Sequence, residues 1–273
     1  MSSMAREEGK QVYYEDYGAG NTAVILIHGW GTSVRAWDYT LPALTDAGYR
    51  VVLLDHRGCG QSDKDFADMS IEAIAGDVAA LVDHLGLERV VLNGWSLGGA
   101  VAVAAAESLG ARCSGLVLTC GATPCYLQKP DYPHGGTDEA LAETLAAMSA
   151  DRVNFLAALS AGVCASEVSQ QVTDWMWGMF LQSSPLAARS LAALGPLDQR
   201  AVLKNLAVPI LTYAGSQDAV VDPAVCRSVV DYAANVRLVE CAGSGHAPFI
   251  EESELYQREL LDFLQGNLQG GGA

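Results

Sequence analysis

The chain has 273 residues, of which half are hydrophobic and 18% are charged, and its formal net charge is −16. This length and composition suit one large domain, or one domain with an insertion, and they exclude global disorder. The strongly acidic balance disfavours nucleic acids, anionic membranes and acidic partner proteins, because like charges repel.

The seven cysteines predict neither a metal site nor a disulfide framework. Their number is odd, no CxxC occurs, and no histidine lies at zinc-site spacing from Cys113, Cys120 and Cys125. We therefore expect buried, reduced thiols in a cytosolic protein. The start, MSSMAREEGK, lacks the apolar core of a signal peptide. No run approaches the roughly 18 apolar residues of a membrane span, so a cytoplasmic protein without a membrane partner is expected.

Short apolar runs alternate with helical patterns along the chain. The runs predict strands at residues 12–17, 23–28, 51–55, 89–93, 115–120, 209–215 and 236–241. The helical patterns lie near residues 36–46, 71–85, 97–109, 223–233 and 252–268. Several of the runs are apolar throughout, as strands buried on both faces are. The alternation predicts an α/β fold whose mainly parallel sheet is covered by helices on both faces.

This alternation stops between about residues 122 and 196. The stretch opens with TPCYLQKPDYPHGG, whose prolines and glycines indicate a loop, and continues as an Ala-, Leu-, Ser- and Met-rich sequence with helical character. The sheet pattern resumes at Val208. We predict an α/β core formed by residues 1–121 and 197–273, carrying a helical cap insertion at 122–196.

A possible nucleophile lies in GWSLG, residues 94–98, which matches G-x-S-x-G. The motif follows a predicted strand and opens a predicted helix, which is the context that it requires. Ser96 is therefore the predicted nucleophile, and the backbone N–H of Leu97 is a predicted donor to the oxyanion. The alternative is a glycine-rich turn that is packed closely for steric reasons alone.

A serine hydroxyl needs a base to accept its proton, and histidine is the usual one. His246 lies in the loop between the last predicted strand and the last predicted helix, from which it can reach the carboxyl edge of the sheet. His28 ends a strand and is expected to be structural, and His56 follows Asp55 at another strand end. His84 falls on a helix and His134 in the entry loop of the insertion. His246 is therefore the predicted base.

The third member of a triad should orient the imidazole and stabilise its charged form. Asp218 directly follows the sixth predicted strand and completes the chain order Ser, Asp, His. Asp222 is a competitor, but it precedes Pro223 and is better explained as the N-cap of a helix. The other strand end that could carry the acid holds Cys120 and no carboxylate. We therefore predict Asp218.

Two further loops follow predicted strands. HGWG, residues 28–31, has glycines that let its backbone approach a ligand, so the Trp30 N–H is the second predicted oxyanion donor. A simple β-turn is the alternative there. DHRGCGQSD, residues 55–63, lacks the GK[ST] of a phosphate-binding loop and is predicted to be a structural turn.

Large side chains in the insertion are candidates for the substrate pocket. These residues are Phe155, Trp175, Trp177 and Met179. Pockets for small ligands are lined mainly by apolar and aromatic side chains, which these residues offer. Packing of the same side chains on the core is the alternative.

Over roughly residues 12–266, the chain resembles the α/β-hydrolase superfamily. The resemblance rests on five motifs that follow one another in the expected order: HGWG, DHRGCGQSD, GWSLGG, GSQD and GSGHAPF. The resemblance implies the α/β-hydrolase fold and a triad of Ser96, Asp218 and His246 beneath a helical cap. The chain also looks like the esterase, arylesterase and cofactor-free haloperoxidase branch. The chain is also similar to the pimeloyl-carrier-protein methyl ester esterases in the segments HGWG, GWSLGG, TPCY, NFLAAL and HAPFI. This resemblance implies oxyanion or pocket positions for Trp30, Leu97 and Phe155.

These observations predict a serine carboxylesterase for small to medium, largely apolar esters or lactones, without a metal or organic cofactor. A carrier-protein substrate is not expected, because the insertion has three cationic and seven acidic residues and an acidic carrier would be repelled. One alternative is a pimeloyl-type methyl ester esterase. Others are enzymes that use the same triad for perhydrolysis, acyl transfer or C–C bond hydrolysis. A further alternative is a ligand receptor with a vestigial triad. The sequence predicts no particular oligomeric state.

Overall fold

The computed structural model describes residues 2–269 and contains one eight-stranded sheet. The strands are β1 (Ser2–Ala5), β2 (Gln11–Tyr17), β3 (Thr22–Ile27), β4 (Val51–Leu54), β5 (Arg89–Trp95), β6 (Cys113–Thr119), β7 (Ile210–Gly215) and β8 (Val236–Cys241). Their order in the sheet is β1-β2-β4-β3-β5-β6-β7-β8. In this order, neighbouring strands from β4 to β8 run parallel. At the other edge, β2 is antiparallel to β4 and β1 is antiparallel to β2.

Helices flank this sheet and connect its strands. They are α1 (Leu41–Asp46), α2 (Ile71–His84), α3 (Leu97–Leu109), α4 (Asp138–Ala150), α5 (Arg152–Gly162), α6 (Gln170–Leu181), α7 (Ala188–Ala192), α8 (Arg200–Asn205), α9 (Pro223–Ser228), α10 (Pro248–Glu251) and α11 (Ser253–Leu264). Helices α4 to α8 all fall between β6 and β7. Within residues 2–269, none of these helices has the length and apolar character needed to cross a membrane.

The mainly parallel, doubly covered sheet predicted from the sequence is confirmed. Residues 24–27 of β3 and 51–54 of β4 are fully buried, as expected for central strands packed on both faces. The structure adds β1, which the sequence did not predict because SSMA has no apolar run. Only Met4 of this edge strand is buried. The cysteines are all free thiols, and each is buried except Cys164, which is partly exposed.

Two predicted helices are interrupted. The pattern near residues 36–46 becomes a short 3₁₀ turn followed by α1, where Pro42 occupies the first helical turn and suits a helix start. The pattern near 223–233 divides into α9 and a 3₁₀ turn that ends at Asp231. The helical pattern of the sequence therefore predicts where these two segments lie, but it does not predict where each helix is interrupted.

The loop at residues 55–63 satisfies its own polar groups. The Asp55 carboxylate accepts backbone N–H bonds from Val34 and Gln61, each at 2.7 Å. A Cβ atom on Gly60, whose φ is +46°, would lie 2.1 Å from that carboxylate. Arg57 is buried and donates from Nε to Asp77 on α2 at 2.5 Å. These contacts support the predicted structural turn, and they engage both carboxylate oxygens of Asp55.

Candidate active site

Ser96 lies at a sharp bend between β5 and α3. Its backbone has φ 58° and ψ −124°, a conformation that residues other than glycine rarely adopt. The bend is fixed on both sides, because the Ser96 N–H donates to Thr119 O at 3.0 Å and its carbonyl accepts the N–H of Ala122 at 2.9 Å. The side chain is mostly buried and lines a cavity at the carboxyl edge of the sheet.

The two glycines of G-x-S-x-G allow this bend to close. A Cβ atom on Gly94 would lie 2.1 Å from Gly98 O, and one on Gly98 would lie 2.2 Å from Ile27 O. Both obstacles are backbone atoms, which cannot move aside as the end of a flexible side chain can. The spacing of the motif therefore has a direct steric cause.

We expect Gly98→Ala to lower both stability and turnover. The added methyl group must push α3 away from β3, which should reduce the free energy of unfolding by about 1–3 kcal/mol and displace Ser96. Gly178→Ala in α6 is the matched control, since no atom lies within 4 Å of a Cβ at that position. Gly178→Ala should raise the free energy of unfolding by about 0.5–1 kcal/mol. Urea unfolding measures both variants, and wild-type stability in Gly98→Ala would contradict the steric argument.

His246 and Asp218 form a buried pair beside Ser96. His246 Nδ1 lies 2.7 Å from Asp218 Oδ2, and both side chains are almost completely inaccessible. The other carboxylate oxygen of Asp218 accepts the N–H groups of Val220 at 2.8 Å and Val221 at 3.0 Å. Both carboxylate oxygens of Asp218 are thus engaged, and these bonds hold the carboxylate in a fixed orientation towards the imidazole.

The competing carboxylate is used elsewhere. Asp222 Oδ1 accepts the N–H of Ala224 at 2.9 Å at the start of α9, with Pro223 in the first turn. This is the N-cap arrangement that the sequence predicts. The structure therefore brings Asp218, and not Asp222, to His246.

The backbone of His246 is held from both the sheet and the insertion. Its N–H donates to Val163 O at 2.8 Å, just beyond α5. Its carbonyl accepts the indole N–H of Trp95, the last residue of β5, at 2.8 Å. The position of the imidazole consequently depends on the insertion as well as on the core.

Glu251 strengthens this connection. One carboxylate oxygen accepts the N–H of Gly245 at 2.9 Å, in the His246 loop. The other accepts the N–H groups of Ala165 at 2.7 Å and Ser166 at 2.8 Å, in the loop after α5. Sequence reasoning did not select Glu251, because nothing in HAPFIEE distinguishes a bridging glutamate from a surface one.

The two predicted oxyanion donors both border the cavity. Leu97 is the first residue of α3, so its N–H has no acceptor within the helix. Within residues 2–269 the Trp30 N–H also donates to no other group. A Cβ atom on Gly29 would lie 3.2 Å from Ser96 Cβ, which shows how closely this loop approaches the serine. The Trp30 indole is anchored separately, by a 2.8 Å bond to Ala187 O.

His28 supports the loop that carries Trp30. It accepts the N–H of His56 on Nε2 at 2.9 Å, so its proton is on Nδ1, which donates to Gly29 O at 2.7 Å. The His28 and His56 rings stack with centroids 3.9 Å apart. Burial lowers the pKa of His28 to about 4, and burial also lowers the pKa of His56. Both imidazoles are therefore neutral, which agrees with a structural role.

This pair makes stability depend on pH in a defined direction. The unfolded chain binds a proton at His28 below about pH 6.5, whereas the folded chain does so only near 4. Stability should therefore fall as pH decreases between these values. Between pH 6.5 and pH 4.5 the wild type should lose free energy of unfolding, and we expect His28→Gln to make this loss smaller by about 2 kcal/mol. His84→Gln, at an exposed histidine, is the control, and identical slopes for wild type and His28→Gln in urea unfolding would refute this assignment.

The cavity above Ser96 is narrow, about 80 Å³, and its walls are predominantly apolar. Of the residues proposed from the sequence, Ser96, His246, Trp30, Leu97 and Phe155 line it. Its remaining walls include Trp95, Tyr126, Leu159, Phe180, Leu191 and Val220. Most of these come from the insertion or from the loop after β7, whose packing the sequence pattern does not reveal.

Three proposed pocket residues do not line the cavity, and that prediction is corrected here. Trp175 packs against Tyr39 with ring centroids 5.8 Å apart, and Trp177 borders a separate surface depression. Met179 is buried in the core. From α6 it is Phe180 that reaches the cavity, because successive helical residues point about 100° apart and neighbours along the chain cannot share one face.

Cys120, His246 and Asp218 could together offer ligands to a metal ion, since one atom of each lies within 4.8 Å of the others. Their chemistry does not suit that role. Burial raises the pKa of the Cys120 thiol well above its ordinary range, so the thiolate that a metal requires is disfavoured. The Asp218 carboxylate is already bonded to His246 and to two backbone N–H groups.

The sheet is mainly parallel, and a strained serine lies between a strand and a helix at its carboxyl edge, next to a buried His–Asp pair. This is the architecture of the α/β hydrolases. Residues 22–253 match the family described as the alpha/beta hydrolase fold. The chain belongs to this family, and the resemblance inferred from its motifs is confirmed.

Individual relatives are similar over nearly their whole lengths. The pimeloyl-[acyl-carrier protein] methyl ester esterase of Pectobacterium atrosepticum is 30% identical, covering 93% of this chain and 98% of the relative. The non-heme chloroperoxidase of Streptomyces lividans is 29% identical, covering 97% and 100%. The solved esterase EaEST from Exiguobacterium antarcticum superposes with a TM-score of 0.92 at 27% identity, covering 97% and 99%. The chain is thus an esterase-like α/β hydrolase.

Proposed function

We propose that this protein is a serine carboxylesterase that hydrolyses small to medium, largely apolar carboxylic esters or lactones through an acyl-enzyme. The observation that carries the proposal is the strained Ser96 in the lining of an apolar cavity that His246 also lines, with His246 held by Asp218 at 2.7 Å. We also propose that residues 122–196 form a cap on the core of residues 1–121 and 197–273. Cavity residues such as Phe155, Leu159 and Phe180 support this division.

In the proposed reaction, Ser96 Oγ attacks the carbonyl carbon of the ester while His246 Nε2 accepts the hydroxyl proton. The N–H groups of Trp30 and Leu97 stabilise the negative charge that develops on the carbonyl oxygen. Asp218 keeps the His246 proton on Nδ1 and stabilises the imidazolium. The tetrahedral intermediate collapses, the C–O bond breaks, and His246 returns its proton to the leaving alcohol.

Water completes the cycle. His246 removes a proton from a water molecule, whose oxygen attacks the acyl-enzyme carbonyl within the same oxyanion site. Collapse of the second intermediate releases the carboxylic acid, and His246 returns the proton to Ser96. A lactone follows the same steps, except that its alcohol and acid remain in one molecule.

The charges of the insertion argue against a carrier protein as the substrate. Lys129 Nζ donates to Gly195 O at 2.6 Å, and Arg152 Nη2 donates to Ser183 O at 2.7 Å, so these cations serve the insertion itself. Arg189 is exposed. An acidic carrier would thus meet one exposed cation and a surplus of carboxylates, which is poor electrostatic complementarity. A small-molecule ester is the better partner.

The proposal is tested by steady-state assays on p-nitrophenyl acetate, butyrate and octanoate, a γ-lactone, and a dicarboxylate methyl ester both free and attached to acyl carrier protein. We expect turnover on the short or medium esters on the order of 10 s⁻¹, the ordinary range for enzymes, and no preference for the carrier-bound ester. Preference for the carrier-bound ester would replace the proposal with the carrier-protein alternative. No hydrolysis by folded protein would favour a receptor with a vestigial triad.

A further inference from the structure

The active-site cavity adjoins an open surface groove, and two side chains line both spaces. These side chains are Tyr126 and Val220. The rest of the groove includes small residues such as Gly135, Gly136 and Ala219. A substrate chain that outgrows the cavity therefore has a short route to the surface across Tyr126 and Val220, which we call the partition.

Val220 is the fixed half of the partition. Its backbone N–H donates to Asp218 Oδ1 at 2.8 Å, and that carboxylate holds His246 through its other oxygen at 2.7 Å. A displacement of Val220 would therefore disturb the His–Asp pair. Movement that opens the partition has to come from the other side.

Tyr126 has an anchored backbone and a weakly held ring. A Cβ atom on Gly135, whose φ is +88°, would lie 2.3 Å from Tyr126 O, so the loop fits closely against this backbone. The phenol donates to Val220 O at 3.5 Å, which is at the limit of hydrogen-bond length. Burial and the Asp218 carboxylate raise the pKa of Tyr126, so its hydroxyl stays neutral at working pH. The ring is therefore the half of the partition whose displacement breaks no short hydrogen bond.

We propose that Tyr126 determines substrate length by closing the cavity towards the groove. The proposal rests on the esterase function proposed above and deepens it. With the ring in place, the narrow cavity accepts short chains; without it, the cavity and groove join, and longer chains extend between Gly136 and Ala219. The groove also contains the Asp222 carboxylate, so a chain that ends in a neutral group fits better than one that ends in an anion.

The test compares wild type with Tyr126→Ala and Tyr126→Phe in two ester series. One is the p-nitrophenyl acyl series from acetate to dodecanoate, and the other is the alkyl butyrate series. Tyr126→Ala should raise the kcat/KM for the octanoyl ester relative to the butyryl ester by about tenfold, because two further methylene groups become buried. If the alcohol chain of the ester occupies the groove, the same rise should appear for octyl relative to butyl butyrate. Tyr126→Phe keeps the ring that separates the cavity from the groove, so it should keep the wild-type ratio of octanoyl to butyryl kcat/KM. Tyr39→Ala, at an exposed tyrosine outside the cavity, is the matched control.

The outcomes separate this proposal from the esterase function. Titration of active sites with a fluorophosphonate and a near-ultraviolet circular dichroism spectrum establish that each variant is folded and competent. If wild type hydrolyses esters but Tyr126→Ala shifts neither series, the partition proposal is wrong and the esterase proposal stands. If wild type hydrolyses no ester at all, the esterase function fails, and the length limit fails with it.

Discussion

Ser96→Ala should lower kcat for a good chromogenic ester by roughly 10⁵–10⁶-fold, because no acyl-enzyme can form without the hydroxyl. KM should change little, since the side chain that is lost is small and the apolar walls of the cavity remain. The residual rate should reflect the oxyanion donors and binding alone. The variant should unfold at the same urea concentration as wild type, or at a higher one, because alanine removes a mostly buried hydroxyl.

The control for this change is Ser114→Ala, in β6 and outside the cavity, where the hydroxyl donates to Val90 O at 3.2 Å. That variant should keep wild-type kcat while losing at most about 1 kcal/mol of stability for one hydrogen bond. Turnover by Ser96→Ala within tenfold of wild type would show that Ser96 is not the nucleophile.

Asp218→Asn should lower kcat by about 10⁴-fold, the effect of reversing the histidine tautomer in a triad. The reason lies in the local hydrogen bonds. One Asp218 oxygen accepts the N–H groups of Val220 and Val221, so an asparagine would keep its carbonyl oxygen there and turn its amide towards His246. The amide donates, and His246 Nδ1 must then accept. The proton moves to Nε2, which can no longer accept the proton of Ser96.

The matched control is Asp222→Asn, four residues further on. Asparagine is an equally good N-cap and loses only the bond that Oδ2 accepts from the Gly135 N–H at 3.1 Å, so activity should stay close to wild type and stability should fall by at most about 1 kcal/mol. A pH–rate profile of each variant distinguishes a tautomer effect from general damage, because loss of the Asp218 carboxylate should also remove the stabilisation of the imidazolium. Equal activity losses in the two variants would show that Asp218 has no special part in the reaction.

The central sheet could be predicted because its signals are local. Apolar runs such as AVILIH and RVVLN report burial on both faces, and the parallel arrangement follows from the helices between them. Strand β1 has no such signal: SSMA pairs with β2 through backbone hydrogen bonds at an edge, where its side chains need no burial. Backbone pairing of this kind leaves little trace in composition.

Ser96, Asp218 and His246 were selected from strand ends, and the structure brings the Asp–His pair together beside the serine. Parallel strands bring their carboxyl ends to one edge, so residues far apart in the chain become neighbours without any detailed packing argument. The glycines at 94 and 98 are required at the bend, because a Cβ atom at either position would collide with backbone atoms.

The pocket was harder to predict because its walls depend on how the helices of the insertion rotate. A run such as WMWGMF is apolar all round, and no periodicity in it marks Phe180 as the residue that lines the cavity. Tyr126 and Val220 come from loops, whose course is set by contacts such as that of Gly135 with the Tyr126 carbonyl. Loop geometry of this kind follows from the tertiary structure and not from local pattern.

Covalent labelling tests the central claim, that Ser96 is the nucleophile of an esterase, most directly. The native protein is treated with a fluorophosphonate probe, digested, and examined by mass spectrometry, with Ser96→Ala treated in parallel. We predict one equivalent of label, confined to the peptide that contains Ser96, loss of esterase activity in proportion to labelling, and no label in the variant. Stoichiometric label on another serine, or on the Ser96→Ala variant, would contradict the account.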